Sequence, residues 1–251
     1  MDANFRRKMI AGEMLLGTVV GIPSPELAEI CARVGLDWLF VDMEHGQIDA
    51  LGLQRIAQAT QGKCACLARL PVNEDIWFKK TLDVGIAGVI VPLVNTAADA
   101  RRAVASSKYP PMGTRSVGLA RAHGYGPGFK EYVEQANEST TLIVQIEHIR
   151  AVENVEEIIA VPGVDGVLVG PFDLSASLGV PGKVDDPRVT AAIDRVAQVC
   201  LSRGTALSIF AGDLGFAHRW MARGFHMLAV TSDMTLFSQA VSGMIREMKE
   251  A

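Results

Sequence analysis

The chain has 251 residues, 49% of them apolar and 21% charged, with 24 Lys+Arg against 28 Asp+Glu for a formal charge of −4. This composition excludes a disordered or collagen-like chain and supplies a large core, and the mild acidity without a basic run argues against nucleic acid or an anionic membrane surface as a partner. No apolar stretch approaches the roughly 18–20 residues of a membrane-spanning helix, and the segment after Arg6, Arg7 and Lys8 contains Glu13 and is no signal-peptide core, so a cytoplasmic location is expected.

Apolar runs alternate with amphipathic stretches along the chain. Residues 15–21 (LLGTVVG) open the pattern, and 25–34 follow as a helix with Leu27, Ile30, Cys31 and Val34 on one face. The run 37–44 (DWLFVDME) precedes a helix over 49–60, with Asp49 available as N-cap. Next come 64–70 (CACLARL) and 87–94 (AGVIVPLV), the latter followed by a helix over 96–107 for which Thr96 is an N-cap. The runs 141–147 (TLIVQIE) and 164–170 (VDGVLVG) bracket a helical stretch over 151–160. A helix over 186–203 opens on Asp-Pro and stops before Gly204; after it come 206–210 (ALSIF), 225–230 (FHMLAV) and a last helix over 232–249. The runs are near-continuous rather than alternating, as expected of strands buried on both faces of a parallel sheet. The four cysteines, Cys31, Cys64, Cys66 and Cys200, have no metal-ligand spacing and read as reduced core residues.

Eight strands, each followed by a helix, leave about 31 residues per unit, the size of one βα module in a (β/α)8 TIM barrel. The competing α/β architecture, a doubly wound open sheet, usually carries a glycine-rich phosphate loop, and no G-x-G-x-x-G or P-loop follows any strand here. Without repeats or linkers, one domain over 1–251 is expected. The irregular segment 109–128 holds five glycines and three prolines, which excludes regular structure and marks it as functional or as a contact with a partner.

In such a barrel the chemistry gathers at the C-terminal ends of the strands. The second strand ends in Asp42, Met43, Glu44 and His45, the third in Arg69, the fifth in Gln145, Ile146, Glu147 and His148, and the sixth runs into Gly170, Pro171, Phe172 and Asp173. Each has a plain reading: Arg69 as an ion-pair partner, Asp173 as a helix cap, Glu147 as a solvated carboxylate. Their coincidence on one rim favours a site. Glu147 and Asp173 make a hard-oxygen pair suited to Mg²⁺ or Mn²⁺ rather than to structural zinc. Such an ion chelates a 2-oxo acid, polarises its ketone and stabilises an enolate. Arg69 would meet the developing negative oxygen, and His45 has the intrinsic pKa for proton transfer near neutrality. A Schiff-base route needs a lysine at a strand end; Lys63 precedes the third strand, and Lys79 and Lys80 fall in a helix.

The segments 40–46, 68–71, 82–85, 109–118, 145–147 and 169–175 together resemble the metal-dependent 2-oxo-acid aldolases of the aldolase/citrate lyase family, in order over nearly the whole chain. The resemblance implies cleavage of 4-hydroxy-2-oxo acids to pyruvate or hydroxypyruvate and an aldehyde, with Mg²⁺, Mn²⁺ or Co²⁺ and no organic cofactor. It implies metal ligation by Glu147 and Asp173, a pyruvate pocket lined by Gln145 and by Gly170, Pro171, Phe172 and Asp173, and a catalytic set of His45, Arg69, Asp42 and Asp83. Asp83 precedes the fourth strand and so belongs at the opposite end of a simple barrel; a neighbouring subunit would supply it, since the resemblance also implies a homo-hexamer that exchanges C-terminal helices. Departures from the pattern are Phe172, where a small residue is expected, His148 in place of Thr, and Ser116 in place of Gly. His123 is a candidate for the aldehyde end of the pocket; His148 reads as a capping or rim residue, and His218 and His226 as structural. A lyase of CoA thioesters or citryl compounds and a catalytically silent binding barrel are the alternatives, the latter marked by loss of Glu147, Asp173, Arg69 or His45.

Overall fold

The computed structural model describes residues 3–250; Met1, Asp2 and Ala251, the ends of the expected 1–251 domain, lie outside the described residues. In chain order the elements are α1 (Ala3–Ile10), β1 (Leu15–Val20), α2 (Pro25–Arg33), β2 (Trp38–Asp42), α3 (Ala50–Ala59), β3 (Ala65–Arg69), α4 (Asp75–Leu82), β4 (Gly88–Val91), α5 (Ala97–Ser107), a 3₁₀ turn (Arg121–His123), α6 (Phe129–Ser139) and β5 (Thr141–Ile146). They continue with α7 (Ile149–Glu153), α8 (Val155–Ile159), β6 (Gly166–Val169), α9 (Pro171–Ser177), α10 (Pro187–Arg203), β7 (Ala206–Ala211), α11 (Leu214–Met221), β8 (Met227–Ser232) and α12 (Asp233–Glu250). The strands pair in parallel in the order β1 to β8, and β8 closes on β1, giving the expected single-domain (β/α)8 barrel.

Side chains alternate along a strand, so one parity of each strand fills the lumen. Trp38 and Phe40 of β2, Leu67 of β3, Ile90 of β4, Ile143 of β5 and Leu168 of β6 pack there as one buried cluster. α1 plugs the N-terminal end with Phe5 and Met9, tied down by Arg6 Nη2 donating to Asp165 Oδ1 at 2.6 Å and by a 3.1 Å contact of His226 Nε2 with Met9 O. Continuing the same parity puts Asp42, Arg69 and Gln145 in the lumen's C-terminal layer, and the β2–β3 register sets Asp42 directly beside Arg69. The opposite parity packs outward against the helices, as with Val89, Val144 and Val167.

The helix starts follow their caps. Asp49 Oδ1 accepts from Gly52 N at 2.7 Å, Thr96 Oγ1 from Asp99 N at 3.2 Å, and Asp186 caps α10, which ends on Gly204 at a left-handed φ of 64°. The stretch expected as one helix over 151–160 is instead two short ones, because Asn154 leaves the helical conformation and donates from Nδ2 to Asn95 O at 2.9 Å. The irregular segment 109–128 folds back on the barrel's N-terminal end, where Ala122 N donates to Asp83 O and Arg121 Nη1 to Val84 O. Cys66 and Cys200 are buried, and Cys31 and Cys64 partly so. Among the described residues no helix is long and apolar enough to cross a membrane.

Candidate active site

A cavity of about 220 Å³ opens at the C-terminal end of the lumen. Its wall includes Asp42, His45, Arg69, Gln145, Gly170, Pro171, Phe172 and Asp173, so eight of the expected site residues meet there. A larger cleft, of about 900 Å³, lies at the opposite end between α1, the starts of β2 to β4 and Arg121. It gathers no set of carboxylate, imidazole and guanidinium groups, and barrel chemistry belongs to the C-terminal end.

Arg69 is held before any ligand arrives. Its Nε donates to Asp42 Oδ1 at 2.9 Å and its Nη2 to Asp42 Oδ2 at 2.7 Å, and the guanidinium lies 5.1 Å from the Phe40 ring centroid. Asp42 also accepts from the backbone N–H groups of Glu44 and His45. Burial pushes its carboxyl up, but the paired guanidinium and the two backbone donors prevail and hold it below the ordinary range. Asp42 is therefore at the site with both oxygens engaged, and its work is to orient Arg69. Glu44, named at the end of the second strand but given no role from the sequence, stands 3.2 Å from Arg69 Nε with its Oε2 buried and without a hydrogen bond. Its position two residues after Asp42 was the available signal.

Glu147, only 4% exposed, follows the last residue of β5 and is not the solvated carboxylate of the plain reading. Its Oε1 accepts from Leu93 N at 2.7 Å and its Oε2 from Gln145 Nε2. Leu93, directly after Pro92, is in the left-handed region at φ 53°, a conformation that Leu rarely adopts. Gly170 leaves the space that this arrangement needs: a Cβ there would lie 3.0 Å from Glu147 Cβ and 3.1 Å from Gln145 Nε2. Burial pushes the Glu147 carboxyl up to about 7, against the Leu93 N–H bond, with Glu44 and Asp173 adding repulsion. Burial likewise raises Glu44, opposed by Arg69 and helped by Asp42 and Asp173. Asp173 lies in the first turn of α9, whose N-cap is Gly170, so it is not a cap.

Three carboxylates thus converge beside a guanidinium already paired to a fourth, and Gln145 Oε1 is buried without a partner. A divalent cation fits that donor set: Glu147 and Asp173 as ligands, surplus negative charge to neutralise, and open positions for other oxygens. Among the described residues no group of three or more His, Cys, Asp or Glu side chains is placed to hold a metal by itself. No lysine lines the cavity. The buried Lys108 lies at the end of α5, where Nζ donates to Asn137 O and Thr140 O.

His45 lies exposed at the rim, its backbone fixed by Asp42. Asp83 is not with it: it is the C-cap of α4 at the other end of the barrel, where its Oδ1 accepts from Arg115 Nη2 at 2.7 Å. His123 is also at that end and buried, its Nε2 accepting from Ala120 N at 2.7 Å and its ring against Phe129 and Tyr132, so it does not reach this chain's aldehyde pocket. His148 caps α7, accepting from Arg150 N at Nδ1. Phe172 stays 45% exposed at the cavity mouth against Phe210 rather than turning into the core. Phe40, Leu168, Phe210, Val19 and Ser232 also line the wall; lumen parity alone singles out Phe210 and Val19, and Ser232 reaches the cavity through the register shift between β1 and β8.

The sequence profile of the HpcH/HpaI aldolase/citrate lyase family matches residues 18–240. The chain is 37% identical over its whole length to a hydroxypyruvate/pyruvate aldolase of Deinococcus radiodurans, covering 91% of that protein. It is 39% identical, over 93% of its length and 92% of the other's, to a 2-dehydro-3,6-dideoxy-6-sulfogluconate aldolase of Pseudomonas putida. A solved structure of an HpcH/HpaI aldolase/citrate lyase family protein from Burkholderia cenocepacia superposes with a TM-score of 0.95 at 32% identity, over 98% of this chain and 99% of that one. With a profile spanning nearly the whole barrel and relatives matched end to end, the chain belongs to the HpcH/HpaI aldolase/citrate lyase family.

Proposed function

We propose that the chain catalyses reversible, divalent-cation-dependent aldol cleavage of 4-hydroxy-2-oxo acids, releasing pyruvate or hydroxypyruvate and an aldehyde. The observation that carries this reading is the buried Glu147 carboxyl, pushed up to about 7 beside Asp173 and Glu44 in a cavity whose guanidinium is already locked by Asp42. When bound by Glu147 and Asp173, Mg²⁺, Mn²⁺ or Co²⁺ supplies Lewis acidity toward the carboxylate and ketone oxygens of the 2-oxo acid. Gln145 and the Leu93 N–H hold the Glu147 oxygens in place, and Gly170 keeps the floor open for the pyruvyl part of the substrate.

Arg69, with Nε and Nη2 committed to Asp42, turns Nη1 to the substrate oxygen that gains negative charge. In cleavage a base accepts the proton of the C4 hydroxyl, the C3–C4 electron pair stays on C3 as the enolate and the C4 carbonyl departs as the aldehyde; a proton returned to C3 completes the product. His45, exposed at the rim, moves the proton in each direction. The four residues whose loss would mark a silent barrel are all present, and a cavity of about 220 Å³ with one guanidinium does not favour a CoA thioester.

Assembly is part of the same reading. The Asp83 carboxylate, oriented by Arg115 on the far end of the barrel, is taken to serve His45 of a neighbouring copy, and α12 to exchange between subunits of a homo-hexamer. The deciding experiment for the reaction is pyruvate release from a panel of 4-hydroxy-2-oxo acids. EDTA is expected to abolish it and added Mg²⁺, Mn²⁺ or Co²⁺ to restore it; full turnover in excess EDTA, or a pyruvate adduct trapped by borohydride, would overturn the cation-dependent route.

A further inference from the structure

The mouth of the barrel is divided by chemistry. On β2, β3 and β5 the last inward positions are ionic or polar, Asp42, Arg69 and Gln145, with Glu147 bonded to Gln145 behind them. The facing arc, from the end of β6 through β7 and β8 to β1, presents Leu168, Phe172, Phe210, Ser232 and Val19 to the same cavity, with Asp173 as its one charged group. The Phe172 and Phe210 rings are 5.9 Å apart at 49°. Ser232 is the one hydroxyl of this arc, and its Oγ is engaged with Thr235. No lysine, arginine or histidine of the arc lines the cavity.

An aromatic ring left 45% exposed at a cavity mouth keeps apolar surface in water until a ligand covers it. The ionic arc suits the carboxylate and ketone of the 2-oxo acid. The bond made or broken is one carbon further on, so the aldehyde-derived fragment extends across the mouth toward the aromatic arc. We infer that Phe172 and Phe210 form the wall that selects the aldehyde, and that the fragment they accept is uncharged, with an apolar or sparsely hydroxylated tail. A tail ending in a carboxylate would lose water against the two rings, where no cationic side chain of this arc meets it. This inference rests on the aldol reading above and narrows it to a class of acceptor.

The test uses the cation-loaded enzyme in the addition direction, with pyruvate saturating. Butyraldehyde and succinic semialdehyde match in carbon number and differ in the terminal carboxylate. The wild-type kcat/KM is expected to favour butyraldehyde by at least about tenfold, and Phe172→Ala to reduce that ratio by about tenfold, with Phe172→Leu between the two. A merely structural role for Phe172 would lower both rates together and leave the ratio unchanged. Preference of the wild type for succinic semialdehyde, or an unaltered ratio in Phe172→Ala, would overturn the aromatic wall; should the alanine variant not fold, the ratio in Phe172→Leu decides. Deuterium uptake into the pyruvate methyl group of the wild type, followed by NMR without aldehyde, separates the two levels. Its absence removes the aldol reading and the wall with it, whereas uptake combined with the wrong acceptor preference removes the wall alone.

Discussion

Arg69 gains its function from Asp42. A guanidinium alone in a cavity this closed would be costly to desolvate, and the bidentate pair offsets that cost while fixing the fork in one plane. Arg69→Ala is therefore expected to lower kcat by roughly 10²–10³, the usual loss for one donor to a developing oxyanion, and Arg69→Lys to recover little because an ammonium cannot span both Asp42 oxygens. Steady-state pyruvate release measures both; near-normal turnover in either variant would remove Arg69 from the reaction. The cation has a separate readout. At about a hundredfold excess over its dissociation constant a ligand adds ~2.7 kcal/mol, worth roughly 5–10 °C in the melting temperature of a chain this long. Mn²⁺ should raise the wild-type midpoint by that amount and leave Glu147→Gln and Asp173→Asn unmoved. Because burial pushes the Glu147 carboxyl up to about 7, the cation competes with a proton below that pH. The melting shift should accordingly shrink between about pH 8 and about pH 6, by up to tenfold in affinity per unit; a shift that grows on acidification would contradict it. At this scale the sequence was legible where parity and register apply, as in the neighbouring Asp42 and Arg69. It was silent on Leu93, whose contribution is a backbone N–H aimed by a left-handed φ.

Strands were easier to read than short helices, for a physical reason. A strand buried on both faces carries a near-continuous apolar run, so β3 and β5 begin and end within a residue of the runs CACLARL and TLIVQIE. α9 and α11, seven and eight residues long, span two turns and show too little periodicity to stand out. The run over 151–160 had helical periodicity at both ends, yet the Asn154 amide found a better partner in Asn95 O than the helix offered. Close strand contact also leaves marks that periodicity does not reveal. At Gly88 on β4 a Cβ would fall 2.1 Å from Thr141 O, and the obstacle is β5 backbone, which cannot move without breaking the ladder. Gly88→Ala should therefore cost at least about 1–3 kcal/mol, the range for overpacking, and lower the midpoint by roughly 2–12 °C in a circular dichroism melt. An unchanged melt would mean that β4 and β5 do not approach as described.

The whole barrel is closed except along one wall. An eighth helix normally covers the outer seam between β8 and β1, but α12 docks there only by its first turn, where Asp233 accepts from Gly21 N and Ile22 N. Beyond that turn its apolar residues face water: Phe237 is 65% exposed and Met248 77%, and Leu16 on the uncovered seam is exposed as well. An 18-residue helix whose apolar face is left exposed beyond its first turn would be stabilised by covering it with a second copy, as the proposed exchange requires. Wild-type protein should sediment as an assembly, about 160 kDa for six chains of 26.9 kDa, and Phe237→Asp with Met244→Lys should release smaller species. The proposed assembly would bring Asp83, the C-cap of α4, to the active site of a neighbouring copy, whereas its own chain holds that site at the far end of the barrel. Arg69→Ala and Asp83→Ala, each inactive alone, are then complementary. If Asp83 acts on a neighbour, co-refolding the two in equal amounts yields sites in which one chain supplies Arg69 and the next supplies Asp83, and about a quarter of wild-type turnover returns. If Asp83 serves only its own barrel, every mixed site lacks one residue or the other and no turnover returns.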